Sequence, residues 1–304
     1  MASSLPPRHK EVIVSIVNAK EIMMEAVKGK YAVGAFNVTD LVQFEAVVQA
    51  AIDKKAPVII QTSVKPSKFY GRNVMVAIYR ALAEAAPIPV CLHLDHCTEI
   101  DYCKQCADAG YTNIMIDASK QAYEENVRQT KEVADYSHKI GKLSVEGELG
   151  TVSGVEDQVK VAENEAALAN PTQAVEFVER TGIDIFAPAI GTAHGVYKTK
   201  NPKVDFERLE KIHKLLNGKT VKTPLVVHGG TGLSEEYVKK LLASGGAKFN
   251  VSTELKYTLI DTTYNYLTEK RDEYDPGKID AAVSDAIRKA VGHWIDMLES
   301  AGKA

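Results

Sequence analysis

PVCLHLDHC (89–97) joins two kinds of sequence in nine residues. Pro89 to Leu92 is an apolar run of the sort that forms a strand covered on both faces. His93, Asp95 and His96 follow at once, and these groups titrate or bind metal. In α/β folds with parallel strands, chemistry gathers at the carboxyl ends of the strands. The segment therefore reads as a buried parallel strand that delivers its last residues to a site.

Working outward, the same pattern recurs along the chain. Apolar, β-branched runs occur at Ala32–Phe36, Val58–Thr62, Val90–Asp95, Asn113–Asp117, Leu143–Glu148, Ile185–Ile190, Leu225–His228 and Ala247–Val251. Amphipathic stretches separate them, at Leu41–Lys54, Arg72–Ala85, Glu99–Asp108, Tyr123–Lys139, Pro171–Arg180, Phe206–Leu216 and Glu235–Ala243. Thr39-Asp40 and Ser234-Glu235-Glu236 predict helix starts, and Gly110, Gly141 and Gly245 predict helix stops. Eight βα units in about 250 residues predict an α/β chain closed into a (β/α)8 TIM barrel rather than an open doubly wound sheet. Six of the eight runs end in polar or Gly-rich clusters, which a barrel would gather at one mouth. Residues 8–30 read as a helix covering the barrel floor. Residues 252–304 read as a C-terminal helical extension with a DPG break at 275–277. No low-complexity linker divides the chain, so residues 1–304 read as one domain. The long segment Gly150–Pro171 reads as a mobile loop that closes over a site.

The bulk composition narrows the function classes. The chain has 304 residues, 45% hydrophobic and 25% charged, enough for a sizeable core. A net charge of −3 gives no basic field for nucleic acid or an anionic membrane. No apolar run approaches the ~20 residues of a membrane span. The first residues lack an apolar stretch of the secretory type, and the expected location is the cytoplasm. Cys91, Cys97, Cys103 and Cys106 lie in one short segment and cannot staple a domain this large, which suits a reducing compartment. The Cys103–Cys106 pair reads as helix packing.

Three histidines fall at strand ends: His96, His194 in AIGTAHGVYK (189–198), and His228 in PLVVHGGTG (224–232). Three protein ligands with an open position is the catalytic zinc pattern. His93 shares a strand face with Asp95 at i, i+2 and reads as support. His9, His138, His213 and His293 read as surface or packing residues. Asp95 could bind the ion, move a proton, or orient a ligand histidine. Glu146 and Glu148 share a strand face, and buried carboxylates need partners, so at least one should serve the metal. Glu156 and Asp157 read as a solvated acidic loop.

Gly229-Gly230-Thr231-Gly232 follows strand seven, and Asn250-Val251-Ser252-Thr253 follows strand eight and opens a helix. Loops at these places are the recurrent phosphate cradle of such barrels. Gly195 and Lys198 could add a third edge. Metal, phosphate site and carboxylate together suggest Lewis-acid chemistry on a phosphorylated carbonyl compound. No Lys clearly ends a strand in the core, which argues against a Schiff-base route.

HLDH (93–96), VEGELG…GVED (145–157), AIGTAHGVYK, PLVVHGGTGL (224–233), KFNVSTEL (248–255) and AFNVTD (35–40) resemble the zinc-dependent class II ketose-bisphosphate aldolases. The motifs span about residues 30 to 255 in family order. The resemblance implies one Zn2+ per subunit on His96, His194 and His228, with Glu148 near it as an alternate ligand or as a support behind the ligands. It implies Asp95 as the acid/base at the sugar hydroxyl and Glu156 as the group exchanging the proton of dihydroxyacetone phosphate, which reverses the solvated reading of Glu156. Asn37, Ser63, Gly195, Lys198, Gly229, Gly230, Thr231, Asn250, Ser252 and Thr253 would surround substrate, phosphate and a monovalent cation, Na+ or K+. The implied partner is a small sugar phosphate, in a homodimer or homotetramer, with no nucleic acid or membrane.

Two departures stand out. Ser63 is followed by Val64-Lys65-Pro66-Ser67-Lys68 where the family usually has a Gly-Ala pair. DPGKIDAAVSDA (275–286) carries Gly277 and Ser284 where relatives usually have arginines, one of which holds the distal phosphate. Lys65, Lys68 or Arg288 could replace that clamp, or the aldehyde half could differ. The leading expectation is aldol cleavage of fructose 1,6-bisphosphate. The alternatives are the tagatose epimer or another ketose phosphate and, from a different class, a non-catalytic accessory subunit.

Overall fold

The computed structural model describes residues 15–156, 159–162, 166–197, 199, 202–218 and 223–304. Eight parallel strands close into a barrel: β1 (Val33–Asn37), β2 (Val58–Ser63), β3 (Val90–Cys97), β4 (Asn113–Ile116), β5 (Ser144–Leu149), β8 (Ile185–Pro188), β9 (Leu225–Val227) and β10 (Gly246–Val251). Each lies beside its sequence neighbours, and β1 pairs with β10 to shut the ring. The numbers skipped belong to a hairpin after β5, β6 (Gly154–Glu156) with β7 (Val159–Val161). Every residue of the eight barrel strands is buried. Helices cover the outer face and side chains fill the inner one, which is why the strands read as apolar runs without clean alternation.

The outer ring is α2 (Leu41–Lys54), α4 (Arg72–Ala85), α5 (Ile100–Ala109), α6 (Tyr123–Ile140), α7 (Pro171–Thr181), α8 (Phe206–Asn217) and α9 (Glu235–Ala243). Local chemistry sets their ends. Asp40 accepts from the Gln43 N–H at 2.9 Å to start α2, and Asn170 caps α7 with Pro171 in its first turn. After the last strand come α10 (Thr253–Glu269) and α11 (Pro276–Met297). Within DPG, Asp275 is the N-cap of α11, accepting from the Gly277 N–H at 3.0 Å. α11 packs between α9 and α2 and buries Val283, Ile287, Val291, Trp294 and Ile295. It therefore completes the ring. α10 stands outside, with Leu255 its one buried residue.

Inside the barrel the filling changes with height. At the floor, Val33, Ile59, Cys91, Ile185 and Val226 form one apolar cluster with Ile22, Met23 and Ala26 of α1 (Ala19–Gly29). Each fully buried Ile or Met contributes about 1.5–3 kcal/mol, so this plug is a substantial anchor for the floor helix. The covering helix is shorter than residues 8–30. Residues 8–14 lie outside the described residues, and 15–18 are extended. The Val90 N–H donates to the Ser15 carbonyl at 2.7 Å and the Val17 N–H to the Val90 carbonyl at 3.2 Å. The β-branched run VIVSIV (12–17) favours that strand-like bridge over a helix.

One helix was not legible. α3 (Val64–Tyr70) follows β2 directly and leads into α4 through Gly71. Along Gly150–Pro171, the described residues contain the β6–β7 hairpin rather than plain loop. No helix among the described residues is long and apolar enough to cross a membrane.

Trp294 is 1% exposed and its indole N–H donates to Glu254 Oε2 at 2.8 Å, tying α11 to α10. Trp294→Ala should cost about 3–5 kcal/mol. Urea unfolding should show the midpoint falling with the m-value unchanged.

Candidate active site

A regular β3 would send His93 and Asp95 inward and His96 outward. The register prevents this. Leu94 pairs with Ile114 and Cys97 with Ile116, so three steps on β3 match two on β4. This bulge coincides with His96 at φ 45°, in the left-handed region. A non-Gly residue there costs about 1–3 kcal/mol and persists where surroundings impose it. The result is that neighbouring Asp95 and His96 both reach the mouth.

His96 is held on both nitrogens. Nδ1 stands 2.8 Å from Asp117 Oδ2, just past β4, and Nε2 stands 2.8 Å from His228 Nδ1, just past β9. His228 Nε2 lies 3.1 Å from Glu146 Oε1 on β5. His194 follows β8, its ring 4.8 Å from that of His96 and 5.6 Å from that of His228, centroid to centroid. Two glycines allow its backbone to sit there. A Cβ on Gly154 would lie 2.3 Å from the His194 carbonyl oxygen, and one on Gly229 2.3 Å from the Ala193 oxygen. Both glycines have positive φ. The His194 N–H donates to the Ser153 carbonyl at 2.8 Å, so the segment entering the hairpin fixes this histidine.

Donor atoms of His96, His194 and His228 all lie within 4.8 Å of one another, and so do those of His96, Asp117 and Glu148. The chemistry around them suits a divalent cation. Asp95, Asp117, Glu146 and Glu148 are buried here beside one buried ammonium, that of Lys248. His194 Nε2 and Glu148 Oε2 are buried with no hydrogen-bond partner among the described residues. Burial, then the neighbouring His96 and His228, hold His194 well below the usual imidazole value. Burial opposes charge on His96, but Asp95, Asp117 and Glu148 outweigh it and push that imidazole up to about 10. Burial and then Asp117 push the Glu148 carboxyl well above the usual range. Neutral imidazoles, carboxylate-backed imidazoles and excess buried negative charge together fit a metal ion.

Asp95 is 1% exposed and fixed from two sides. The Asn37 amide donates to Oδ2 at 2.9 Å and the Asn250 amide to Oδ1 at 3.3 Å. Gln61 in turn donates to Asn37 Oδ1 at 2.8 Å. Burial opposes its ionisation, but His96 and His93 hold the Asp95 carboxyl well below the usual range.

The structure gathers Asn37, Asp95, His194, Gly195, Gly229, Thr231, Asn250, Ser252 and Thr253 around one cleft. Ser252 and Thr253 open α10, whose N-terminal N–H groups face this end of the barrel. Gly230 lies behind the cleft, its N–H donating to the Asn250 carbonyl at 3.0 Å. Ser63 ends β2 beside Asp95 in the β2–β3 register and starts α3. Glu156 is on β6, while Asp157 and Lys198 lie outside the described residues. His93 is wholly buried, its Nδ1 meeting the Asn113 amide. Of the other histidines, His138 binds Asp184 at 2.7 Å and His213 packs under Gly245, while His9 lies outside the described residues. The four cysteines are free and buried.

Two residues near the centre were missed. Asp117 backs His96; it ends the strand run NIMID (113–117), as Asp95 nearly ends its own. Lys248 was passed over because it lies within a strand rather than at its end. It is 0% exposed in β10, with Nζ 2.9 Å from Glu146 Oε2. Its position two residues before Asn250 put it on the same inward face, a signal that was available. It sits below the cleft, not in it.

Two of the suggested distal-phosphate cations are engaged elsewhere. Lys68 binds both Glu99 oxygens, at 2.7 and 2.8 Å, and lies 4.9 Å from the Tyr102 ring centroid. Arg288 binds Asp53 at 2.7 Å between α11 and α2, on the outer layer. Lys65 is exposed on α3.

His228→Ala should abolish stoichiometric metal binding. Asp117→Asn should weaken it about 10–100-fold while the fold persists. Metal analysis after dialysis, beside circular dichroism, checks both.

Comparison with known proteins agrees with this geometry. The profile of the family described as fructose-bisphosphate aldolase class-II matches residues 17–303. The chain is 41% identical over 294 residues to a fructose-bisphosphate aldolase of Geobacillus stearothermophilus, covering 96% of this chain and 99% of that one. It is 35% identical over 311 residues to a fructose-bisphosphate aldolase of Helicobacter pylori, covering 95% and 99%. Among solved structures, the YdjI aldolase of Escherichia coli K12 superposes with a TM-score of 0.81 at 30% identity, covering 95% and 99%. A candidate fructose-1,6-biphosphate aldolase of Coccidioides immitis gives a TM-score of 0.85 at 30% identity, covering 94% and 97%. The chain belongs to the class II fructose-bisphosphate aldolase family, a metal-dependent group of aldehyde-lyases.

Proposed function

We propose that this chain reversibly cleaves fructose 1,6-bisphosphate to dihydroxyacetone phosphate and glyceraldehyde 3-phosphate, with Zn2+ as its metal. The observation that carries the reading is the buried Asp95 carboxylate, gripped by Asn37 and Asn250 and 4.0 Å from His96, one of the three clustered histidines. A binding module needs no such proton acceptor, which disfavours the accessory-subunit alternative. The two curated relatives above are both named for fructose bisphosphate, which ranks it above the tagatose epimer.

His96, His194 and His228 would hold the ion, with Glu148 as a further ligand. Bound there, Zn2+ supplies an electrophile for the substrate carbonyl oxygen. Asp95 takes the proton from the C4 hydroxyl as the C3–C4 bond breaks. The bonding pair passes to C3 and the adjoining carbonyl, and the aldehyde leaves. Glu156 then delivers a proton to C3 to complete dihydroxyacetone phosphate. Asn37 and Asn250 keep the Asp95 oxygens in place through this exchange. Backbone N–H groups at Gly195, Gly229, Thr231, Ser252 and Thr253 would receive the phosphate, with Gly230 supporting the turn from behind and with Lys198 and a monovalent cation, Na+ or K+, beside it. Ser63 would contact the other half of the sugar.

The assembly we propose is a homodimer or homotetramer. α10 supports this, because Tyr257, Ile260 and Tyr264 stand 57%, 62% and 68% exposed at helical spacing on a helix that buries only Leu255. Four buried free thiols suit the reducing cytoplasm.

Asp95→Ala should fold and retain its Zn2+ but lose about 10²–10⁴-fold in kcat. Turnover equal to wild type would refute the role. Comparing kcat/KM for fructose and tagatose bisphosphates and their 1-phosphates tests the substrate; fructose 1,6-bisphosphate should lead.

A further inference from the structure

One layer below the mouth lies a charged pair that the proposed chemistry does not use. Lys248 Nζ is 2.9 Å from Glu146 Oε2, and both side chains are wholly buried. Glu146 Oε1 stands 3.1 Å from His228 Nε2. On the far side of that ring, His228 Nδ1 faces His96 Nε2 at 2.8 Å. Contacts thus run from an ammonium, through one carboxylate and across the His228 ring, to the nitrogen that His228 turns toward His96.

A neutral imidazole has one lone pair available as a ligand, and the hydrogen bond made by its other nitrogen decides which. The carboxylate making that bond must itself be fixed, because the terminal torsion of Glu is broad. Lys248 occupies one Glu146 oxygen and leaves the other aimed at His228. His93 Nε2, 3.5 Å from the ammonium, walls its other side. We propose that Lys248 is a positioning residue: acting through Glu146, it fixes the ring and tautomer of His228 so that Nδ1 is the atom presented to the metal. The inference rests on the three-histidine group being the metal site.

The plain competing account is that Lys248 only neutralises a buried carboxylate. Removing both charges separates the two. Lys248→Met with Glu146→Gln leaves no charge to compensate. The introduced amide can then either accept from or donate to His228 Nε2, with nothing to choose between them. Holoenzyme of the wild type, Lys248→Met and the double variant should be compared by Zn2+ competition against a chromophoric chelator, by the visible spectrum of the Co2+-substituted protein, and by thermal midpoint. Lys248→Met should bind Zn2+ about 10–100-fold more weakly. The double variant should recover the wild-type midpoint yet keep the Zn2+ deficit and an altered Co2+ spectrum. Wild-type affinity and spectrum in the double variant would overturn the positioning role, and that comparison stands even if Lys248→Met alone does not fold. A wild type that binds no Zn2+ would instead defeat the metal reading beneath it.

Discussion

Lys248 and Glu146 form an ion pair at the centre of a barrel with no solvent around it, and the site is stacked on that pair. Above it sit three further buried carboxylates, Asp95, Asp117 and Glu148, and three imidazoles. An isolated buried charge is strongly unfavourable, and removing one partner of a buried pair typically costs about 3–5 kcal/mol. One ammonium does not balance this group of carboxylates, even though burial and Asp117 push the Glu148 carboxyl well above its usual range. The remaining negative charge is met by the amides of Asn37 and Asn250 at Asp95 and by the His96 ring, whose Nδ1 stands 2.8 Å from Asp117. A divalent ion on the histidines answers the same electrostatic demand. The feature that makes this region costly as a core is what makes it suitable as a metal centre.

The backbone meets the demand by breaking its own regularity at few points. The β3 bulge and the left-handed His96 bring two adjacent residues to one face. Gly154 and Gly229 let the hairpin and the β9 loop approach the His194 segment more closely than any Cβ would permit. The apolar plug below, from Met23 to Val226, carries one register shift of its own, at Ala247 between β10 and β9. The titratable groups lie at the mouth and in the layer beneath it, and the apolar floor with its covering helix supplies stability.

The sequence was most legible where one physical rule dominated. Leu41–Lys54 and Glu235–Ala243 were bounded correctly because amphipathic period and capping agreed, and Arg72–Ala85 from its period alone. His96, His194 and His228 could be paired because parallel strands carry their ends to one mouth. What escaped depended on inward alternation or on tertiary contact. Lys248 reads as an ordinary strand lysine until β5 sets Glu146 opposite it. Asp117 looked like the end of a run until His96 turned inward to meet it. α3 was hidden by the lack of apolar periodicity in VKPSKFY; its Ser67 is held by Tyr102 and Tyr111 at 2.8 and 3.1 Å, from distant parts of the chain. Residues 15–18 follow the β-branched preference of their own run rather than joining the helix that follows.

The central claim is that a metal ion occupies the three-histidine group. Anomalous diffraction from crystals grown with Zn2+, collected on either side of the zinc absorption edge, tests it most directly. The account predicts one strong peak per chain, about 2.0–2.1 Å from one nitrogen each of His96, His194 and His228. A peak held elsewhere, with His96 and His228 still bonded to each other and to their carboxylates, would contradict it.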